Sequence, residues 1–461
     1  MISLLSRIHL ARVPRPLRQS LAKICRRSGQ IEKGLRLLQP LVRNEKELNG
    51  APTAAEICEY SVLLSRNGSI TEALELLSRV PPEEVNEVSL YQGFCFVSTW
   101  DYVRAAGRFE TYLNSPADEY SKLVARVNLA ASYLALERSC DAIALLDETI
   151  SKAAALGADR LTGNCLEIRG QARLFRGEIA DARADLDRAM SIFRENQIYD
   201  RLLVEKWYAW IEACEHNSVA PLMIFRRKAE RHRHWETVRE ADFLALKIRT
   251  DQSRFDHLYF GTPMTSYRDR ILRQLSGQAA PSYLWGDDSG MILDLATGRL
   301  NTSAELNSGK MIHRLISALV KDFYAPSNLG ALFSELYPDA YFDAYTSPLR
   351  IRQLMSRARR WMRSHRIPLS IVHDSGFYRL IARAGFGIVI TRDHSQVDAE
   401  ATKWEDLKRQ LRAGQTFSSE DACQLTGLSR SSFHRLAKWA LSRGKIKRSG
   451  KGRAVRYILA A

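Results

Sequence analysis

A small residue followed four positions later by a large apolar one recurs along the first part of the chain. The stretches "SGQIEKGLRLLQPL" (28–41), "NGSITEALELLSRV" (67–80), "TWDYVRAAGRFETYL" (99–113), "RSCDAIALLDETI" (138–150) and "RGEIADARADLDRAM" (176–190) put Gly34, Ala73, Ala105, Ala142 and Ala182 in one register, spaced 39, 32, 37 and 40 residues apart. Leu38, Leu77, Phe109, Leu146 and Leu186 follow. Positions i and i+4 share a helix face. The small member therefore lets a second helix approach closely, and the large member fills the remaining gap. A unit of this length cannot bury its own face, so units of this kind stack. The pattern predicts an α-solenoid. Helical periodicity continues through "RLLVEKWYAWIEACEH" and "WETVREADFLALKIRT", which extends the solenoid over residues 1–255, with a helical linker over 256–282.

From Tyr283 the period changes. "SYLWGDDSGMILDLATGRLNTSAELN" has short apolar pieces cut by Gly, Asp and Asn and reads as small antiparallel strands. Next come a helix in "KMIHRLISALVKDF", a helix in "SNLGALFSELYP", a loop "DAYFDAYTS", and a third helix, "LRIRQLMSRARRWMRSH" (349–365). "LSIVHDSGFYRLIA" then reads as two strands about a turn at His373–Gly376. On a wheel of about 100° per residue, Ile351, Leu354, Met355, Ala358, Trp361 and Met362 of the third helix share an arc of about 120°. Gln353, Ser356, Arg357, Arg360 and Arg363 lie opposite, with Arg352 at the edge. Strands, three helices and a hairpin form a winged helix-turn-helix pattern over 283–384. A linker is expected over 385–402. Residues 403–461 repeat the idea: helix, turn at Gly427, a helix capped by Ser429, and two strands about a glycine turn. There Phe433, Leu436, Ala437 and Ala440 form the packing stripe. The fold class expected is mostly α: an N-terminal solenoid followed by two winged helix-turn-helix domains.

Charge sharpens the division. The 461-residue chain has a formal net charge of +16. Residues 51–200 hold 15 Lys and Arg against 23 Asp and Glu, whereas residues 351–461 hold 23 against 8. Residues 349–366 hold seven arginines, and no acid occurs between Asp343 and Asp374. Surface helices normally mix signs, since an i,i+4 ion pair adds about 0.2–0.5 kcal/mol. An acid-free basic face suits a polyanion. The seven cysteines are scattered singly, with no Cys-x-x-Cys pair, which argues against a zinc ribbon or a disulfide framework and fits a reducing cytoplasm. No apolar run approaches the ~20 residues of a membrane span. The Arg-rich start, "MISLLSRIHLARVPRPLRQS", reads as a basic first helix in preference to a transit peptide.

Residues 15–200 resemble degenerate tetratricopeptide repeats. Gly93 and Gly170 fall where that family has a small residue in its first helix, and Ala189 where it has one in the second. The period is not a steady 34, and no repeat carries the full motif. Residues 283–382 resemble the effector domain of OmpR/PhoB-type response regulators: "ILDLATGRL" its N-terminal sheet, "MSRARR" (355–360) the core of its recognition helix, and "GFYRL" (376–380) its wing, one residue short. The family's receiver domain has no counterpart upstream, so control by aspartyl phosphate is not implied. Bacterial regulators that join this domain to tetratricopeptide-like repeats usually place it first. Here the order is reversed, which leaves the input open.

These resemblances imply a cytoplasmic bacterial transcription regulator. Its repeats would take a protein or peptide partner in their groove, and its winged helices would bind duplex DNA; a homodimer is allowed, and neither a membrane nor a cofactor is expected. The DNA-contacting residues expected are Arg350, Arg352, Gln353, Ser356, Arg357, Arg360, Arg363, His373 and Arg379 in the first module. In the second they are Arg430, Ser431, His434, Arg435, Lys438, Lys447, Arg448, Lys451 and Arg453. Phosphates would neutralise the cations with counterion release, and Gln353 and Arg could read base edges. The alternative is a tetratricopeptide-type interaction scaffold whose winged helices bind protein or RNA. "SGKGR" (449–453) and "LNSGKM" (306–311) lack the frame of a phosphate loop. His232 and His234 in "RRKAERHRH" are two apart and face different ways on a helix, so solvated surface is the better reading. No catalytic constellation stands out, and no enzyme is expected.

Overall fold

A computed structural model describes residues 5, 7–43, 50–302, 306–392, 404, 407–408, 410–411, 415–450 and 455–459. The chain divides into two compact units. The first comprises Met1–Ala280, Ala318–Ser356 and Ile371–Ile381; the second comprises Pro281–Ser317, Arg357–Ser370 and Ala382–Ala461.

In the first unit, helices follow one another as packed pairs: α1 (Arg15–Arg27) with α2 (Ile31–Val42), α3 (Ala54–Asn67) with α4 (Ile70–Leu77), α5 (Glu87–Ser98) with α6 (Tyr102–Leu113), α7 (Glu119–Ala135) with α8 (Ser139–Ala155), and α9 (Asp159–Phe175) with α10 (Ile179–Ile192). The series continues through α11 (Ile198–Glu215), α12 (Ala220–Arg231), α13 (Trp235–Ile248), α14 (Gln252–Phe260) and α15 (Thr265–Gln274). Each pair also packs on the next, so this is a helical-repeat solenoid. The small-then-large register falls on the second helix of each pair, and all the residues of the register are buried. Its partner lies on the first helix. A Cβ on Gly93 would come within 2.5 Å of the Phe109 ring, and one on Gly170 within 3.1 Å of Leu186. The turns inside the pairs pass through a left-handed residue, among them Gly29, Gly68, Trp100, Glu137, Gly177 and Asn217. A left-handed residue ends a helix and reverses the chain in few residues.

Among the described residues three small sheets follow. β1 (Ser282–Gly286) and β2 (Met291–Asp294) do not pair with each other as a hairpin. Both flank β6 (Phe386–Thr391), β1 antiparallel and β2 parallel. The expected linker over 385–402 is therefore corrected at its start: "FGIVIT" is the central strand of a sheet. Its β-branched apolar run suits a strand covered on both sides. Residues 393–402 of that linker lie outside the described residues. Between the strands come α16 (Met311–Val320), β3 (Ser327–Asn328), α17 (Leu329–Leu336) and α18 (Ser347–Ser364). β4 (Leu369–Asp374) and β5 (Phe377–Ala382) form the expected hairpin, with β5 central in the order β3-β5-β4. Its turn has Ser375 and Gly376 both at positive φ, 51° and 87°, the geometry of a tight hairpin turn. The last sheet has the order β7-β9-β8, from β7 (Thr416–Phe417), β8 (Ile446–Ser449) and β9 (Arg456–Leu459). With it come α19 (Ser419–Thr426) and α20 (Arg430–Ser442). Trp404, Leu407, Phe417, Phe433, Leu436 and Tyr457 form its core.

Candidate nucleic-acid interface

α18 belongs to the first unit up to Ser356 and to the second from Arg357. Its start is fixed locally. The Asp343 carboxylate accepts hydrogen bonds from the backbone N–H groups of Tyr345 (2.9 Å) and Thr346 (2.6 Å), and the Asp343 N–H donates to Ser347 Oγ at 2.9 Å. Burial alone would raise the Asp343 pKa, but these hydrogen bonds outweigh it and hold the carboxyl below its usual range. Arg366, at φ 53°, ends the helix, and the Ile367 N–H closes back on the Met362 carbonyl at 2.8 Å.

The wheel holds. Ile351, Leu354, Met355, Ala358 and Met362 are buried, and Trp361 is half-buried. Arg352, Gln353, Ser356, Arg357, Arg360 and Arg363 are exposed. Among the described residues none of Arg352, Arg357, Arg360 and Arg363 is held in an ion pair. One helix thus carries a dry stripe and an open cationic face with two hydrogen-bonding side chains.

Other candidates are placed differently. The Arg350 guanidinium lies 4.0 Å over the Tyr337 ring. Arg379 donates to the Tyr324 carbonyl at 2.8 Å and sits 4.7 Å over the Trp235 ring. Both arginines are therefore engaged inside the first unit, Arg379 as a strut between β5 and α13. His373 is exposed, with its ring 4.6 Å from Tyr378. Its neighbour Asp374 pairs with Arg233 at 2.5 Å.

In the second module Arg430, His434, Arg435 and Lys438 are exposed on α20, and Lys447 and Arg448 are exposed on β8. Phe433, Leu436, Ala437 and Ala440 are buried beneath. Ser429 caps α20, accepting from the Ser432 N–H at 3.3 Å. Lys451 and Arg453 lie outside the described residues, as does the Ser431 side chain. Among the described residues no cluster of His, Cys, Asp and Glu could hold a metal ion, and no helix is long and apolar enough to cross a membrane.

Sequence reasoning missed a polar junction between the repeats and the segment before β3. Arg239, 0% exposed on α13, donates to both Asp322 oxygens at 2.8 and 2.6 Å and pairs with Glu236. Tyr324 donates its hydroxyl to Asp242 at 3.0 Å, and Arg226 also binds Asp242. Each partner is ordinary in sequence, and Arg239 and Asp322 are 83 residues apart, so no local pattern announces them.

A scan against protein-family models and a search of curated proteins give no match. Among solved structures, the chain is similar to a Podosopora anserina protein with nearly identical TPR-like repeats, described as a kinesin light chain. The identity is 18%, over 40% of this chain and 96% of that one, with a TM-score of 0.33. It is likewise similar to MamA of Desulfovibrio magneticus RS-1, at 19% identity over 38% of this chain and 93% of that one, with a TM-score of 0.30. The repeat architecture stands on the helix packing described above.

Proposed function

We propose that the protein is a DNA-binding transcription regulator in which α18 enters the major groove and the helical repeats serve as the sensor or protein-interaction part. The observation that carries this reading is the face of α18: six exposed residues, four of them arginines, opposite a buried stripe. A face of one sign repels itself and gains from a ligand that supplies the missing charge. Duplex DNA supplies a phosphate per ~1.7 Å of axis. The order of elements about α18, with helices before it and the β4–β5 hairpin after it, fits a winged helix-turn-helix. The same order recurs about α20, which makes α20 a second reader on the same chain. A cytoplasmic setting goes with this reading.

The test is binding of the full chain to a pool of genomic duplex fragments, read by fluorescence anisotropy across salt concentrations. Log affinity should fall linearly with log salt, with a slope of about 0.9 per phosphate neutralised. Affinity that ignores salt between low and physiological strength overturns the reading.

A further inference from the structure

The loop before α18 is held by the repeats as a bound peptide would be. Residues 341–345, "YFDAY", bridge α2 and α4 in the first unit. The Phe342 N–H donates to Glu72 Oε2 at 2.8 Å, and the Ala344 N–H donates to Gln39 Oε1 at 2.7 Å. Gln39 also donates to the Asp343 carboxylate, and Arg36 donates to the Ala344 carbonyl at 3.4 Å. Phe342 and Ala344 are buried. Tyr341 and Tyr345 point the other way and stay 53% and 47% exposed. Residues 344–346 form the turn that leads into α18, so the segment is held as an irregular loop ending in a turn. Each exposed ring lies under a guanidinium of α2 or the residue just after it: Tyr345 under Arg36 at 5.0 Å, Tyr341 under Arg43 at 4.2 Å.

We infer that α2 and α4 form a peptide-docking site of the repeats, occupied by the chain's own segment, and that a partner protein presenting a segment with two tyrosines at the same spacing takes this site in exchange. Three observations carry it. The grip is on the main chain, through the N–H groups of Phe342 and Ala344, which another segment of the same shape can offer. Arg36 and Arg43, paired with Glu32 and Glu72 on the repeats, stack on the two tyrosines, so they recognise aromatic rings at this spacing. The two tyrosine rings are half open to solvent, and Phe342 is the one ring of the segment that is buried. The Arg239–Asp322 contact lies elsewhere on α13 and stays in place when the loop departs. The exposed face of α18 is open while the loop is docked, so the docked form is the one competent to read. Only that last consequence rests on the DNA-binding proposal; the docking site does not.

The experiment uses the full chain and a fluorescein-labelled peptide of residues 339–347, DAYFDAYTS. In the native chain the tethered loop competes at an effective concentration on the order of millimolar. In Tyr341→Ala/Tyr345→Ala the peptide should bind at least tenfold tighter than to the native chain, and adding Arg36→Glu should remove that gain. No gain, in a double variant that melts like the native chain, overturns the site. A second arm needs no variant: the same peptide carrying a photoreactive benzoylphenylalanine in place of its first tyrosine should cross-link to the native chain within residues 31–77. Adducts mapping elsewhere, or none, overturn it as well. DNA affinity is measured on the same proteins. Peptide capture without any DNA binding leaves the docking site standing and sinks the reading of α18.

Discussion

α18 and α20 are alike as sequences and differ in what supports them. Each is a basic helix after a helix and a turn, and each buries an apolar stripe while exposing cations. α20 rests on a core of its own, in which Phe433 packs edge-on to Tyr457 at 5.4 Å with Phe417 beside them. α18 begins where a loop is seated on α2 and α4, downstream of an anchor on α13. The same local pattern therefore yields one self-supported helix and one whose start is held by the repeats. The contacts at the start of α18 join it to the repeats within the first unit.

The largest expected effect tests that difference directly. Asp322→Ala leaves Arg239 buried with one half-exposed partner, Glu236, and breaking a buried pair in this way costs about 3–5 kcal/mol. Hydrogen exchange should show protection lost over residues 318–356 and kept over 415–459. Equal loss in both would mean that the two helices share their support. Next comes Arg357→Ala/Arg360→Ala. At about 1–3 kcal/mol per lost contact, the pair should weaken DNA binding by roughly 100-fold with no change in Tm, because the buried stripe is untouched. Arg435→Ala/Lys438→Ala should cost less, about tenfold, if α20 mainly adds avidity. A reversed ranking would make α20 the principal reader. Deleting residues 403–461 should also cost about tenfold and shorten the footprint. Full affinity with an unchanged footprint would remove the last module from DNA reading altogether.

Much of this was legible in the chain because it is local. Ala73, Ala105, Ala142 and Ala182 mark the second helices by a period that survives without knowledge of any contact. The faces of α18 and α20 follow from 100° per residue. Two things were not legible. "FGIVIT" sits after a hairpin and before a polar stretch, which reads as the start of a linker; only its pairing with β1 and β2, about a hundred residues earlier in the chain, makes it a central strand. Arg379 and Arg350 look as free as Arg357 on a wheel or a strand, yet Trp235 and Tyr337 capture them. Charge is visible in sequence; whether a ring lies within reach of it is a tertiary fact.

The smallest expected effect separates the two supports by pH. His257 on α14 packs its ring 5.2 Å from Phe323 and 5.5 Å from Tyr324, beside the Asp322 anchor. Burial pushes its pKa below the usual imidazole value; Asp242 pulls it back up, and Arg226 adds to the lowering. His234, at the start of α13, is lowered as well, again chiefly by burial. The unfolded chain takes up these protons near pH ~6.5, whereas the folded chain takes them up only at lower pH. Stability is therefore fully present above about pH 6.5 and falls as the pH drops from there through the folded values. Hydrogen exchange at pH 7.5 and pH 5.5, corrected for intrinsic rates, should show residues 318–325 losing protection in acid while 415–459 keep theirs. His257→Asn should flatten the response of the first region, since the amide does not titrate. If the two regions lose protection in parallel, or if His257→Asn leaves the slope as it was, the junction on α13 and α14 is not what makes the support of α18 different from that of α20.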